Sequence, residues 1–165
     1  MKTTKSTRPL GWTTLEESER LVKAGLDSNT ADMMYYQTPQ DVLDPNNGVS
    51  SFGILLNLYP DFNGLKKSME QFYSGYKGPV PIFFKPCWSL GKLADLMPKM
   101  INDTGFGFEY HLQNYDDSEI EIEYHSSQCH RTIEWWHGEV MIEVFVDALV
   151  WLSEHGHINK TQITE

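Results

Sequence analysis

Four side chains of the kind zinc prefers lie close together in the chain: His125, Cys129, His130 and His137. Imidazole and thiolate are its usual ligands, and four of them can close a tetrahedral shell. The spacing His-x3-Cys-His-x6-His fits no standard finger or hydrolase pattern. Adjacent Cys129 and His130 cannot both point one way from an extended strand. A zinc enzyme or a zinc-stabilised module is therefore the alternative reading, and the leading expectation is a chain without a cofactor. A second set is acidic: Glu109, Glu119, Glu121, Glu123 and Glu134, with His111 and His125 among them. Paired carboxylates can divide acid and base roles when their environments separate their pKa values, and they can bind a hard cation. More commonly, glutamates alternating along a strand form a solvated face that guards against aggregation. Such a face can also dock a basic partner or mimic nucleic acid.

The third candidate is Cys87-Trp88-Ser89-Leu90. A cysteine at a helix N-terminus can become a nucleophile, yet no base is identifiable for Cys87, and Cys beside Trp is more often core. His155 and His157, flanking Gly156, read as cations at a helix C-terminus. The chain has no Walker loop, no GxGxxG after a strand, no HExxH and no GxSxG. The common catalytic classes thus lose their main support, and no catalytic residue is assigned.

The elements that must position these groups are clearest over residues 105–156. Phe106, Phe108, Tyr110 and Leu112 alternate with Gly107, Glu109, His111 and Gln113, and after Tyr115–Ser118 Ile120, Ile122 and Tyr124 alternate with glutamates. Period-two alternation bounded by turn residues predicts antiparallel strands with one buried face. Keeping the apolar faces together requires paired residue numbers to sum to an even value. A sum of 232 sets Glu109 against Glu123; a sum of 234 sets Glu109 against His125 and His111 against Glu123, and is preferred because it avoids the like-charge pair. A third strand is expected at Thr132–Trp136, with Ile133 and Trp135 inward. Met141, Val144, Phe145, Ala148, Leu149 and Leu152 then follow helical spacing, with Gly156 as a left-handed cap and Ile158 closing back on the last turn. This helix should cover the inner face of the meander.

Upstream, Thr14 and Glu17 form a capping box that opens a helix through Ala24, with Leu15, Leu21 and Val22 as its buried stripe. Leu65–Tyr73 and Trp88–Met97 read as further helices, and Val80–Phe84 as a short strand. Met1–Trp12 reads as a flexible tail without an apolar run, neither secretory signal nor anchor. Residues 37–64, rich in Pro, Asn, Asp and Gly, read as a long surface excursion broken only by Phe52–Tyr59.

Composition places this in one domain over residues 13–165, since a chain of 165 residues with 40% hydrophobic content can bury a sizeable core. Two cysteines without a secretory signal predict free thiols and a cytoplasmic, reducing location, in which the Asn102 and Asn159 triplets carry no glycan. A formal net charge of −10 disfavours phosphate-backbone binding, so no direct nucleic-acid contact is expected. No membrane span is expected either, because the apolar stretch at 140–154 is too short and interrupted by charge.

Three segments, Thr14–Asp32 (TLEESERLVKAGLDSNTAD), Cys87–Pro98 (CWSLGKLADLMP) and Asp147–Ile158 (DALVWLSEHGHI), together resemble an uncharacterised family of small proteins from gut-bacterial genomes, often found among phage and mobile-element genes. There a helix with a GLDPNTAD-like exit, a CWSLGxLLxxMP helix and a terminal WLxxxGxI helix recur in this order. Ser28 stands where that pattern has Pro, and residues 37–80 are longer. The family has no assigned activity, so the resemblance implies an accessory role and no catalytic residue.

The expectation is thus an α+β domain: an antiparallel meander of three or more strands packed on three or four helices. Its leading function is that of a non-catalytic accessory or interaction protein with a protein partner. Glu109, His111, Glu121, Glu123 and Glu134, or the Trp/Tyr-rich loops around Tyr35-Tyr36 and Phe52–Tyr59, would supply the contact surface.

Overall fold

The computed structural model describes residues 11–37, 53–56, 62–75, 83–115 and 119–158. Residues 1–10 of the expected tail, and 38–52 and 57–61 of the expected excursion, lie outside them. In chain order the elements are α1 (Leu15–Ala24), a 3-10 turn (Ser28–Thr30), β1 (Met33–Gln37), β2 (Gly53–Leu56), α2 (Phe62–Ser74), β3 (Phe83–Cys87), α3 (Leu90–Leu96), β4 (Met100–Asp103), β5 (Phe106–Tyr115), β6 (Glu119–Ser126), β7 (Arg131–Gly138) and α4 (Met141–Glu154). The strands form two antiparallel sheets, one ordered β2-β1-β3 and the other the meander β4-β5-β6-β7. The α+β architecture is as expected, with a second sheet in addition. The excursion is not wholly irregular, because β2 pairs with β1 and Phe62 already opens α2.

The helix ends follow their local chemistry. Thr14 and Glu17 close a reciprocal capping box at the start of α1, the Thr14 N–H donating to Glu17 Oε2 at 2.7 Å and the Glu17 N–H to Thr14 Oγ1 at 3.2 Å. Gly25 (φ 101°) and Gly156 (φ 77°) adopt the left-handed conformation that ends α1 and α4. Both ends show the paired Schellman bonds: Leu26 N–H to the Leu21 carbonyl with Gly25 N–H to Val22, and His157 N–H to Leu152 with Gly156 N–H to Ser153. Thr104-Gly105, both with positive φ, turn β4 into β5, as the twist of a two-residue hairpin demands.

Between β5 and β6 the register is the 234 sum: Glu109 faces His125, Tyr110 faces Tyr124 and His111 faces Glu123. Between β6 and β7 it shifts by one residue, so Tyr124 pairs with Glu134 while His125 pairs with Thr132, and Ile133 is the extra residue of a bulge. The bulge inverts the expected parity. Ile133 and Trp136 turn toward the core, whereas Trp135 turns outward and is 51% exposed. The expectation that Trp135 points inward is therefore corrected.

The core lies between the inner face of the meander and α1, α3 and α4. Phe108, Ile122 and Tyr124 from the sheet meet Phe145, Leu149 and Leu152 from α4, with Leu21, Leu93 and Trp88 closing the sides. Val22, expected in the buried stripe of α1, is exposed, while Ser18 is buried in that stripe with Leu21. Leu112 lies on the inner face of β5 by parity yet is 48% exposed, as is Phe106 at 40%. A smaller core of Met33, Tyr35 and Cys87 forms on the small sheet and is covered by Trp12 and Leu15. Trp12, expected in the flexible tail, is thus held in place and bridges to Ser89.

Candidate functional site

The residues behind the family resemblance are occupied with one another. Trp88 is fully buried, and its indole N–H donates to Thr30 Oγ1 at 2.9 Å. The Ser89 N–H donates to Asp32 Oδ1 at 2.8 Å, and Ser89 caps α3. Ser153 on α4 donates to the Ala24 carbonyl at 2.8 Å, and Arg20 pairs with Asp147 at 2.6 Å. The three segments therefore meet in space, and their distinctive residues are spent on joining α1, α3 and α4.

Cys87 belongs to the same region and is enclosed in it. It ends β3, two residues before the cap of α3, and is fully buried. Burial pushes its thiol up to about 11, because the charged thiolate loses its hydration there. Around it, Thr13 Oγ1 accepts the Trp88 N–H at 3.0 Å and lies 2.7 Å from Ser18 Oγ, while Tyr35 donates its hydroxyl to the Thr13 carbonyl at 2.6 Å. Tyr35 is therefore an interior strut and no contact residue, a second correction. The Tyr36 side chain lies outside the described residues.

The zinc cluster does not converge. His137 pairs with Glu121, four residues along β6 from His125, a separation of ~13 Å at ~3.3 Å per residue. Side chains sharing one ion would need to bring their ligand atoms within ~4 Å of each other, given ~2.0–2.3 Å metal bonds. The His125 ring is committed to Thr132 Oγ1 at 3.2 Å and the His137 ring stacks on Trp135 at 4.8 Å. Cys129 sits in the turn before β7 against the core, and His130 is exposed with φ 53°. Among the described residues no three His, Cys, Asp or Glu side chains converge on one point.

What does converge is the outward face of the meander. The registers lay it out as three cross-strand rows: Glu109, His125 and Thr132; His111, Glu123 and Trp135; Gln113, Glu121 and His137. Thr132 donates its hydroxyl to Glu123 Oε2 at 3.2 Å and meets the His125 ring on its other side. The His111 and His125 rings lie edge to face, 6.4 Å apart. Glu134 is not part of this face. It is in register with buried Tyr124, and its carboxylate accepts the N–H of Trp135 at 3.2 Å. A carboxylate turned onto the backbone of the last strand blunts that edge against pairing with another chain. The sequence reading missed Trp135 as a surface group, because a bulge leaves no mark in composition.

Trp135, His111 and Glu109 on this face are exposed, and Glu121, Glu123 and His125 are half-buried. Elsewhere, a groove of about 260 Å³ between α1 and β3 is lined by Val22, Pro86 and the stem of Lys85, whose ammonium pairs with Glu19 at 3.4 Å. At the end of α4 the Trp151 ring stacks with His155 (4.2 Å) and with His157 (5.3 Å), and His155 Nδ1 bonds the Trp151 carbonyl at 2.8 Å. These two histidines close the helix end, as expected of polar groups beside free carbonyls. No helix among the described residues is long and apolar enough to cross a membrane. A scan of family models, a search of curated proteins and a search of solved structures each return no match.

Proposed function

We propose that the protein is a non-catalytic accessory protein that works by binding another protein through the outward face of its meander. One observation carries this reading: Trp135 is half exposed on the edge strand, at the end of the middle row of the face, beside Glu123 and stacked on His137. Folding normally hides a ring of this size, and an exposed aromatic ringed by polar groups is the usual anchor of an interface. The hydrogen bonds among Glu123, Thr132 and His125 support it further, since they hold the surface in one arrangement before a partner arrives. A cytoplasmic location and a phage or mobile-element origin belong to the same proposal, the first resting on two free thiols and the second on the three-segment resemblance.

A photoreactive residue placed at Gln113, on this face but away from the indole, tests it in cells. A discrete adduct from position 113, absent when the same group replaces exposed Asp95 on α3, is the expected result. Adducts of equal yield from both positions, or from neither, would remove the reading.

A further inference from the structure

The chemistry of this face also selects a kind of partner. We infer that the outward face of the meander docks an extended, lysine- or arginine-bearing segment of a partner protein, its cations held between the Trp135 ring and the carboxylates of Glu121 and Glu123. The inference rests on the interaction reading above and names the partner class.

The first ground is uncompensated charge. Among the described residues the ion pairs are Arg20 with Asp147 and Lys85 with Glu19, both remote from the meander face. Glu109, Glu121 and Glu123 have no lysine or arginine within ion-pair distance there. Glu121 and Glu123 are partly buried between the flanking strands, where carboxylates interact with an incoming cation more strongly than on a fully solvated surface. The whole chain carries −10, which steers cationic segments toward it.

The second ground is the indole. Trp135 lies directly across from Glu123 and is half exposed, one face of its ring stacked on His137, so a cation over the other face meets the negative π-cloud and a carboxylate together. Arginine and lysine over tryptophan form the best cation–π pairs among the common side chains. The third ground is spacing. Glu121 and Glu123 project from one side of a strand two residues apart, ~6.6 Å, which is the repeat of alternate side chains on an extended chain. The blunted edge of β7 argues that such a segment lies across the face and does not add as a fifth strand. A second copy of this chain is a poor occupant, because it brings the same negative surface.

The probe is a fluorescent peptide of about six arginines, ~20 Å when extended and long enough to cross the three rows. Its controls are a six-lysine peptide and that peptide with every lysine acetylated. The full-length protein should bind the first two with quenching of tryptophan fluorescence, lose most affinity between ~50 mM and ~500 mM salt, and ignore the acetylated peptide. Trp135→Ala should weaken binding by ~2- to 30-fold, with Trp135→Phe in between and circular dichroism unchanged in both. The double variant Glu121→Gln/Glu123→Gln should weaken it further. Glu16→Gln/Glu19→Gln on α1, which changes net charge equally, should not.

Equal losses in the two double variants, or binding indifferent to Trp135, would overturn the inference in favour of diffuse attraction. A dimer in sedimentation that Trp135→Ala dissolves would overturn it in favour of self-association. If the position-113 adduct forms and the arginine peptide does not compete with it, the interaction reading stands and the cationic partner falls. If neither adduct nor peptide binding is seen, both fall.

Discussion

Two regions of this protein hold the residue types that do chemistry, and they use them in opposite ways. Around Thr13, Cys87 and Trp88 a thiol, hydroxyls and an indole are buried and satisfied by one another. On the outward face of the meander, imidazoles, carboxylates and an indole are ordered but left facing water. A buried polar group must be satisfied internally or cost the fold stability. An exposed group carries no such obligation and keeps its bonding capacity for something else. The first region is architecture, and the second is the surface to which the proposed contact is assigned, although the sequence around Cys87 has the more distinctive motif.

The largest way to break that contrast is Trp88→Ala. The side chain is fully enclosed and its indole N–H is spent on Thr30, so removal should cost about 3–5 kcal/mol. Chemical denaturation would read this as a large fall in midpoint or as loss of the folded state. Trp135→Ala, the same substitution on the open face, should move the midpoint by no more than about 0.5 kcal/mol. Comparable losses at the two tryptophans would erase the distinction.

Alkaline pH probes the buried region without mutation. The Cys87 thiol is held at about 11 against an ordinary 9.0, and burial also raises the hydroxyls of Tyr124 and Tyr110. In each case the folded state keeps its proton while the unfolded chain releases it. The associated stability is complete below about pH 9 and is lost as pH climbs through the folded values. For Cys87 this amounts to roughly 2–3 kcal/mol between pH 9 and 11. Cys87→Ala should remove the part of the decline that begins near pH 9. Thiol labelling at neutral pH sharpens the same point: partly exposed Cys129 should react in the native protein, and Cys87 only on unfolding.

Thr13→Val is the subtler test of the closed region. It keeps the shape but deletes the oxygen that accepts the Trp88 N–H and meets Ser18. Leaving a buried donor unpaired should cost about 1–3 kcal/mol. Adding Ser18→Ala should cost less than a separate measurement of that change would suggest, because the two hydroxyls share one network.

How much of this could be read from the chain depends on whether a rule is local. The capping box at Thr14 and Glu17, the left-handed glycines at 25 and 156 and the strand alternation from Phe106 are set by neighbours within a few residues. The β5–β6 register follows from parity plus one avoided like-charge pair. The outer face was harder, because Ile133-Glu134-Trp135-Trp136 fits either parity until a bulge chooses Ile133 and Trp136 for the core. That single inserted residue exposes Trp135 and takes Glu134 out of the acidic face. The zinc cluster failed for a related reason: nearness in sequence became ~13 Å along a strand, because extended chain separates residues quickly. The partnership of Thr13 with Trp88 and Cys87 joins residues 74 and 75 positions apart, and nothing local announces it.

The smallest expected effect is the one that most directly separates stability from contact. Glu121 and Glu123 lie two residues apart on the same side of β6, and Glu121 pairs with His137 while Glu123 pairs with Trp135. No lysine or arginine among the described residues neutralises them. Replacing both with Gln keeps their size and strand alternation and removes a like-charge repulsion worth a fraction of a kcal/mol. The double variant should be as stable as the parent, or more stable by up to about 0.5 kcal/mol, in urea titrations at low salt, with the gain shrinking as salt rises. Neutral or improved stability, together with weakened capture of the arginine peptide, would assign those charges to recognition. A clear loss of stability would instead assign them to the fold and move Glu121 and Glu123 into the same class as Thr13 and Cys87.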